Sequence, residues 1–116
     1  MSHYFRTAGA PGFVQPAGVG GMGYAMPAAV AAQLAVPGSR GVAVCGDGGF
    51  AIALNTLMTA REEGVPIVVV VLNNGKLGWV MHGQRDRQIS SDLGAFDHAA
   101  MAEAMGCRGV CGSRRG

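Results

Sequence analysis

Two short apolar runs, each cut off by a polar turn, constrain this chain more than any other feature. Val42 to Cys45 ends abruptly in Gly46-Asp47-Gly48-Gly49, and Ile67 to Leu72 ends in Asn73-Asn74-Gly75. The second run is apolar throughout and mostly β-branched, the pattern of a strand buried on both faces of a parallel sheet. Between the runs, Phe50, Leu54, Leu57 and Met58 recur at helical spacing, with Asn55, Thr59, Glu62 and Glu63 on the other side. Gly64 with Val65-Pro66 stops that helix, which is expected over residues 50–63. The result is a βαβ unit with strands near 41–46 and 67–72. A right-handed crossover brings the ends of both strands to the same edge of the sheet. Asp47 and Asn73-Asn74 therefore belong side by side, at the edge where open α/β sheets bind ligands.

The residue types at that edge suggest a ligand. One carboxylate (Asp47), one amide (Asn74) and neighbouring backbone carbonyls make an all-oxygen set of low charge. Such a set suits Mg²⁺, which prefers octahedral oxygen and takes its remaining ligands from water and phosphate. Gly48 and Gly49 let backbone N–H groups approach an anion where the helix begins. A diphosphate bridged by Mg²⁺ fits both halves. Two ordinary turns are the plainer reading, since Asn-Gly and Gly-rich loops are common turn sequences.

Composition narrows the class. The chain has 116 residues, 49% hydrophobic and 14% charged, with 20 glycines, consistent with one globular domain rich in tight turns. A net charge of +2, dispersed along the chain, argues against nucleic acid. No apolar run is long enough to span a membrane, and the N-terminus lacks a basic region followed by an apolar one, so the chain reads as cytoplasmic. Three cysteines do not make a disulfide framework; Cys45 reads as a small core residue, and Cys107 and Cys111 are too few for zinc.

Residues 1–17 form an irregular lead-in, with Tyr4 and Phe5 as packing residues and His3 solvated. Gly18 to Gly23 spells G-x-G-x-x-G, which with Asp47 downstream imitates a dinucleotide fingerprint. That fingerprint needs a strand before its first glycine, and Phe13 to Ala17 is a poor one; it also leaves Asn73-Asn74 unexplained. Met22 to Val36 reads as an alanine-rich helix ended by Pro37-Gly38, with Met26 in the core. After Gly78, WVMHGQRDRQ suggests a short helix or ordered loop. Trp79 there is either a core anchor or a substrate contact, and His82 either a solvated residue or an acid–base group. Arg85 to Gly94 reads as a mobile polar loop, with Asp92 outside the site. The last helix is expected over 97–105, with Asp97 as its N-cap, Phe96 and Met101 as a hydrophobic staple, and His98 exposed. Cys107 to Cys111 should begin another strand, and 112–116 reads as a truncated tail.

These residues carry a resemblance. GDGG, the spacing to NN and the following GKLG resemble the GDG…NN motif of thiamine-diphosphate (ThDP) enzymes, in their C-terminal, diphosphate-binding domain. The likeness extends upstream through GVGGMGYAMPAAVAAQL and downstream to about Val110. It implies an α/β fold with a parallel sheet in a three-layer sandwich, incomplete at one or both ends, with residues 1–116 as a single partial domain. It implies Asp47, Asn74 and the backbone carbonyl of Lys76 as Mg²⁺ ligands, and Gly46, Gly48 and Gly49 against the diphosphate. Gly20 would accept from the cofactor's 4′-amino group, Met22 would enforce its bent conformation, and Trp79 and His82 would lie on the substrate side. The implied activity is decarboxylation of a 2-keto acid or its carboligation, as a lyase or transferase. The family's catalytic glutamate comes from a separate pyrimidine-binding domain, usually on a partner subunit. No catalytic residue is therefore expected in this chain, and a homo- or hetero-oligomer is. LGWVMHGQ keeps the LG-x-V frame of acetolactate synthases but has Gly83 where they commonly carry an aromatic residue. Glyoxylate carboligase-like and benzoylformate decarboxylase-like relatives stay open, as does an inactive remnant.

Overall fold

The computed structural model describes residues 12–112; the readings of His3, Tyr4 and Phe5 fall outside them. Strand β1 (Gly41–Gly46) and strand β2 (Ile67–Leu72) occupy the two apolar runs and pair in parallel, with Gly41 opposite Ile67 and Gly46 opposite Leu72. The expected βαβ unit is present, and the α/β class with it.

Helix α1 (Ala25–Ala35) lies against β1 so closely that a Cβ on Gly41 would stand 2.7 Å from the Ala29 carbonyl oxygen. Alanines along this helix permit the approach. It begins later than its apolar pattern suggests, because Gly23 at φ +82° forms a turn over residues 22–23. The segment read as one helix over 50–63 is two. Helix α2 (Asp47–Ile52) and helix α3 (Thr56–Glu62) are separated by a tight turn. There Ala53 N–H is shared between the Gly49 and Phe50 carbonyls, and Thr56 and Leu57 N–H donate three residues back, to Ala53 and Leu54. The break turns Ala53, Thr56, Leu57 and Ala60 inward and leaves Met58 exposed, contrary to the simple helical stripe.

The core gathers Met26 and Ala29 of α1, Ala43 of β1, Phe50 of α2, Ala53 and Leu57, with Val69 and Val71 of β2 beside them. A smaller cluster of Val30, Ala60 and Val65 joins through Ile67. Full burial of Phe50 alone contributes about 2–3 kcal/mol. All the sheet residues in this core are odd-numbered. The even-numbered Val42, Val68, Val70 and Leu72 line the opposite face and are exposed, so β2 is buried on one side rather than two. No described element covers that side.

Helix α4 (Gly78–Gln84) follows the second turn, and helix α5 (His98–Ala104) is the last described element. Asp97 caps α5 as read, its Oδ1 accepting from Ala99 and Ala100 N–H at 2.9 and 3.0 Å. His98 is not exposed. Its ring lies between Phe96, at 4.3 Å between centroids, and Phe50, at 5.5 Å, with Nε2 buried and unpartnered. Residues 107–112 form no strand within the described part of the chain.

Candidate cofactor site at the strand ends

The parallel register dictates the site. Because Gly46 pairs with Leu72, the next residues outward, Asp47 and Asn73, leave the sheet together. Asp47 is only 3% exposed. Burying a carboxylate is costly unless it is hydrogen-bonded, and this one accepts three backbone bonds. Gly48 N–H donates to Oδ1 at 2.9 Å, while Gly75 and Asn74 N–H donate to Oδ2 at 2.7 and 3.3 Å. The carboxylate of the first loop therefore shapes the second. Asn73 and Asn74 complete the turn, their Oδ1 atoms accepting from Gly75 N–H at 3.0 Å and Lys76 N–H at 3.2 Å. Gly75, at φ +68°, takes the left-handed conformation this double turn needs.

Asp47 has no cationic partner among the described residues; their one ion pair is Lys76 with Asp92. A carboxylate offers roughly four acceptor positions, so three N–H bonds leave room for a cation. A carbonyl oxygen has two lone pairs, and Asn74 Oδ1 keeps one after its bond to Lys76 N–H. No cluster of three His, Cys, Asp or Glu side chains occurs among the described residues. A set of one carboxylate, one amide oxygen and one backbone carbonyl is instead the oxygen-only, water-completed kind that suits Mg²⁺. By its chemistry the donor set fits that ion.

Gly48 is the second residue of α2 and is buried. A Cβ there would stand 2.7 Å from Leu77 Cδ2, 2.9 Å from Met22 Cε and 3.5 Å from Leu93 Cδ1. Met22 is thus brought to the glycine turn, and Gly49 lies near Gly23 N, 3.8 Å from its Cβ position. Gly46 caps α2 from an extended conformation, with no side-chain cap bond. Gly20 has φ +65°, and the position a Cβ would take there is open space. Residues 12–17, ahead of the G-x-G-x-x-G run, form no strand, which removes the dinucleotide reading.

Trp79 is 88% exposed at the start of α4, so it is no core anchor. Its ring meets His82 edge-on, 6.4 Å between centroids, and His82 is also exposed. Part of the segment read as a mobile loop, residues 91–93, is bonded to the second turn. Lys76 and Asp92 form an antiparallel bridge and an ion pair, Leu77 N–H donates to the Ser91 carbonyl at 2.7 Å, and Leu93 N–H donates to the Gly75 carbonyl at 2.9 Å. Asp92, read as outside the site, touches it through Lys76. Leu77, Ser91, Asp92 and Leu93 were not legible as site residues, because no periodic element links them to the Asn73-Asn74 turn.

Comparison with known proteins adds a family. The one described as "Thiamine pyrophosphate enzyme, C-terminal TPP binding domain" matches residues 1–115. An acetolactate synthase of Mycobacterium bovis is 39% identical over 102 residues, covering 80% of this chain and 16% of that protein. An acetolactate synthase large subunit of Parasynechococcus marenigrum is 36% identical over 108 residues, covering 88% and 18%. The solved structure of Rhodococcus jostii RHA1 thiamine diphosphate-dependent 4-hydroxybenzoylformate decarboxylase superposes with a TM-score of 0.68 at 32% identity, over 77% of this chain and 18% of that one. The chain thus spans about a fifth or less of the relatives it matches.

Proposed function

The chain belongs to the thiamine pyrophosphate enzymes, as a C-terminal TPP-binding domain, and on that premise we propose that it holds the Mg²⁺-diphosphate end of ThDP for a 2-keto-acid decarboxylase or carboligase. Asp47, Asn74 and the Lys76 carbonyl would be the metal ligands. Gly46, Gly48 and Gly49 would lie against the diphosphate, and Gly20 and Met22 against the rings. The observation that carries this reading is Asp47: a buried carboxylate, held by three backbone N–H groups and without a cationic side-chain partner among the described residues, where two parallel strands end.

Bound ThDP supplies a nucleophilic carbon and an electron sink for decarboxylation of a 2-keto acid. This chain's own residues bind and orient. Asp47 fixes the second loop, Gly48 admits close approach, and Met22 stands beside it as a wall. Trp79 and His82 are exposed on α4, where they would meet substrate or the neighbouring domain. We assign the acid–base glutamate to a pyrimidine-binding domain on another chain or segment, in an oligomer. Neither Glu62 nor Glu63 can serve, since both lie at the far end of α3. No described helix is long and apolar enough to cross a membrane, and with three free thiols we place the protein in the cytoplasm.

Calorimetry tests the metal set. ThDP should bind only with Mg²⁺ present, and Asp47→Ala should abolish that dependence. Asn74→Ala, which loses only an exposed turn bond, should weaken it without unfolding the chain. Glu62→Ala is the control. Unchanged Mg²⁺-dependent binding by both site variants would refute the ligand assignment.

A further inference from the structure

We propose that residues 91–93 are a strap that holds the metal-binding turn in shape, and that Asp92 is the positioning residue that latches it. This inference rests on the Mg²⁺-ThDP reading of the site. Two ladder bonds clamp the strap to the turn, Leu77 N–H to Ser91 and Leu93 N–H to Gly75. Neither uses the Lys76 carbonyl. The Lys76 ammonium is drawn to Asp92, which fixes the residue whose carbonyl is assigned to the metal. Ser91 is 2% exposed, and Leu93 reaches the Gly48 position alongside Leu77. The strap thus touches both loops at once, the one bearing Asp47 and the one bearing Asn74. Mg²⁺ demands near-ideal octahedral geometry, whereas Ca²⁺ accepts flexible, irregular sites. A clamped turn therefore favours Mg²⁺, and a loosened one favours Ca²⁺.

The latch itself is solvent-facing, its two side chains 39% and 75% exposed, so its removal should have an effect of about two- to fivefold. The full chain is compared with Asp92→Ala, with Leu93→Ala, and with the reversed pair Lys76→Asp/Asp92→Lys. Hydrogen exchange at the Leu77 and Leu93 amides is followed without metal or cofactor. Calorimetry then gives ThDP affinity with Mg²⁺ and with Ca²⁺. In Asp92→Ala both amides should exchange about two- to fivefold faster, and the preference for Mg²⁺ over Ca²⁺ should fall. Leu93→Ala should do both more strongly, and the reversed pair should restore both. Unchanged exchange and unchanged metal preference in Asp92→Ala, or no recovery in the reversed pair, would overturn the proposal. Failure of the unaltered chain to bind Mg²⁺-ThDP would remove the functional reading instead, while exchange still decides the strap.

Discussion

Cys45 sits two positions before Asp47, half-buried in the strand that delivers that carboxylate to the edge. Burial pushes the Cys45 thiol above its ordinary value, because the low-dielectric surroundings penalise the thiolate. A group raised in the folded state contributes stability that is complete below the unfolded-chain value and lost as pH rises through the folded one. Urea unfolding should therefore show a decline that begins on the alkaline side and is absent in Cys45→Ala. Iodoacetamide should modify exposed Cys111 well before Cys45. Asp47 was legible in the sequence because the chemistry of a carboxylate between glycines at a strand end is distinctive. Asp92 was not, since its role depends on a bridge between two irregular segments. The burial of His98 was not legible for a related reason: its place beside Phe50 arises only when α5 docks on α2.

At the scale of elements, close approach replaces large side chains. A methyl group at Gly41 would meet the backbone of α1, which cannot yield as a side-chain tip can. Gly41→Ala should destabilise the chain by about 1–3 kcal/mol, read as a lower urea midpoint, whereas Gly38→Ser tests a positive-φ turn with open space around it. The strands were legible to the residue, because an apolar run cut off by Gly-Asp or Asn-Asn has few other structures available. The break at residues 53–55 was not. Its apolar positions satisfy a continuous helix equally well, and the turn is set by what Ala53 and Leu57 meet across the core. The one-sided burial of β2 likewise could not be read locally, since Val68 and Val69 look alike in sequence.

For the whole molecule, the open even-numbered face of the sheet and exposed Met22, Tyr24 and Trp79 form surfaces that monomeric proteins usually cover. The purified chain should self-associate in sedimentation or need a partner. Given ThDP and Mg²⁺ it should release no CO₂ from pyruvate, benzoylformate or glyoxylate, because the acid–base glutamate is assigned elsewhere. Turnover above free ThDP would refute that assignment. The two-stranded sheet has a further consequence. Each strand has a single neighbour among the described residues, so each retains an outer rim of backbone donors and acceptors that no described strand pairs. Such rims are templates for strand addition between copies. The β-branched run Ile67 to Leu72, uncharged and free of proline, matches the segments that stack into cross-β fibrils. Concentrated chain held alone should develop a fibrillar infrared signature, and Val70→Lys on the open face should suppress it while leaving the buried face of the sheet intact.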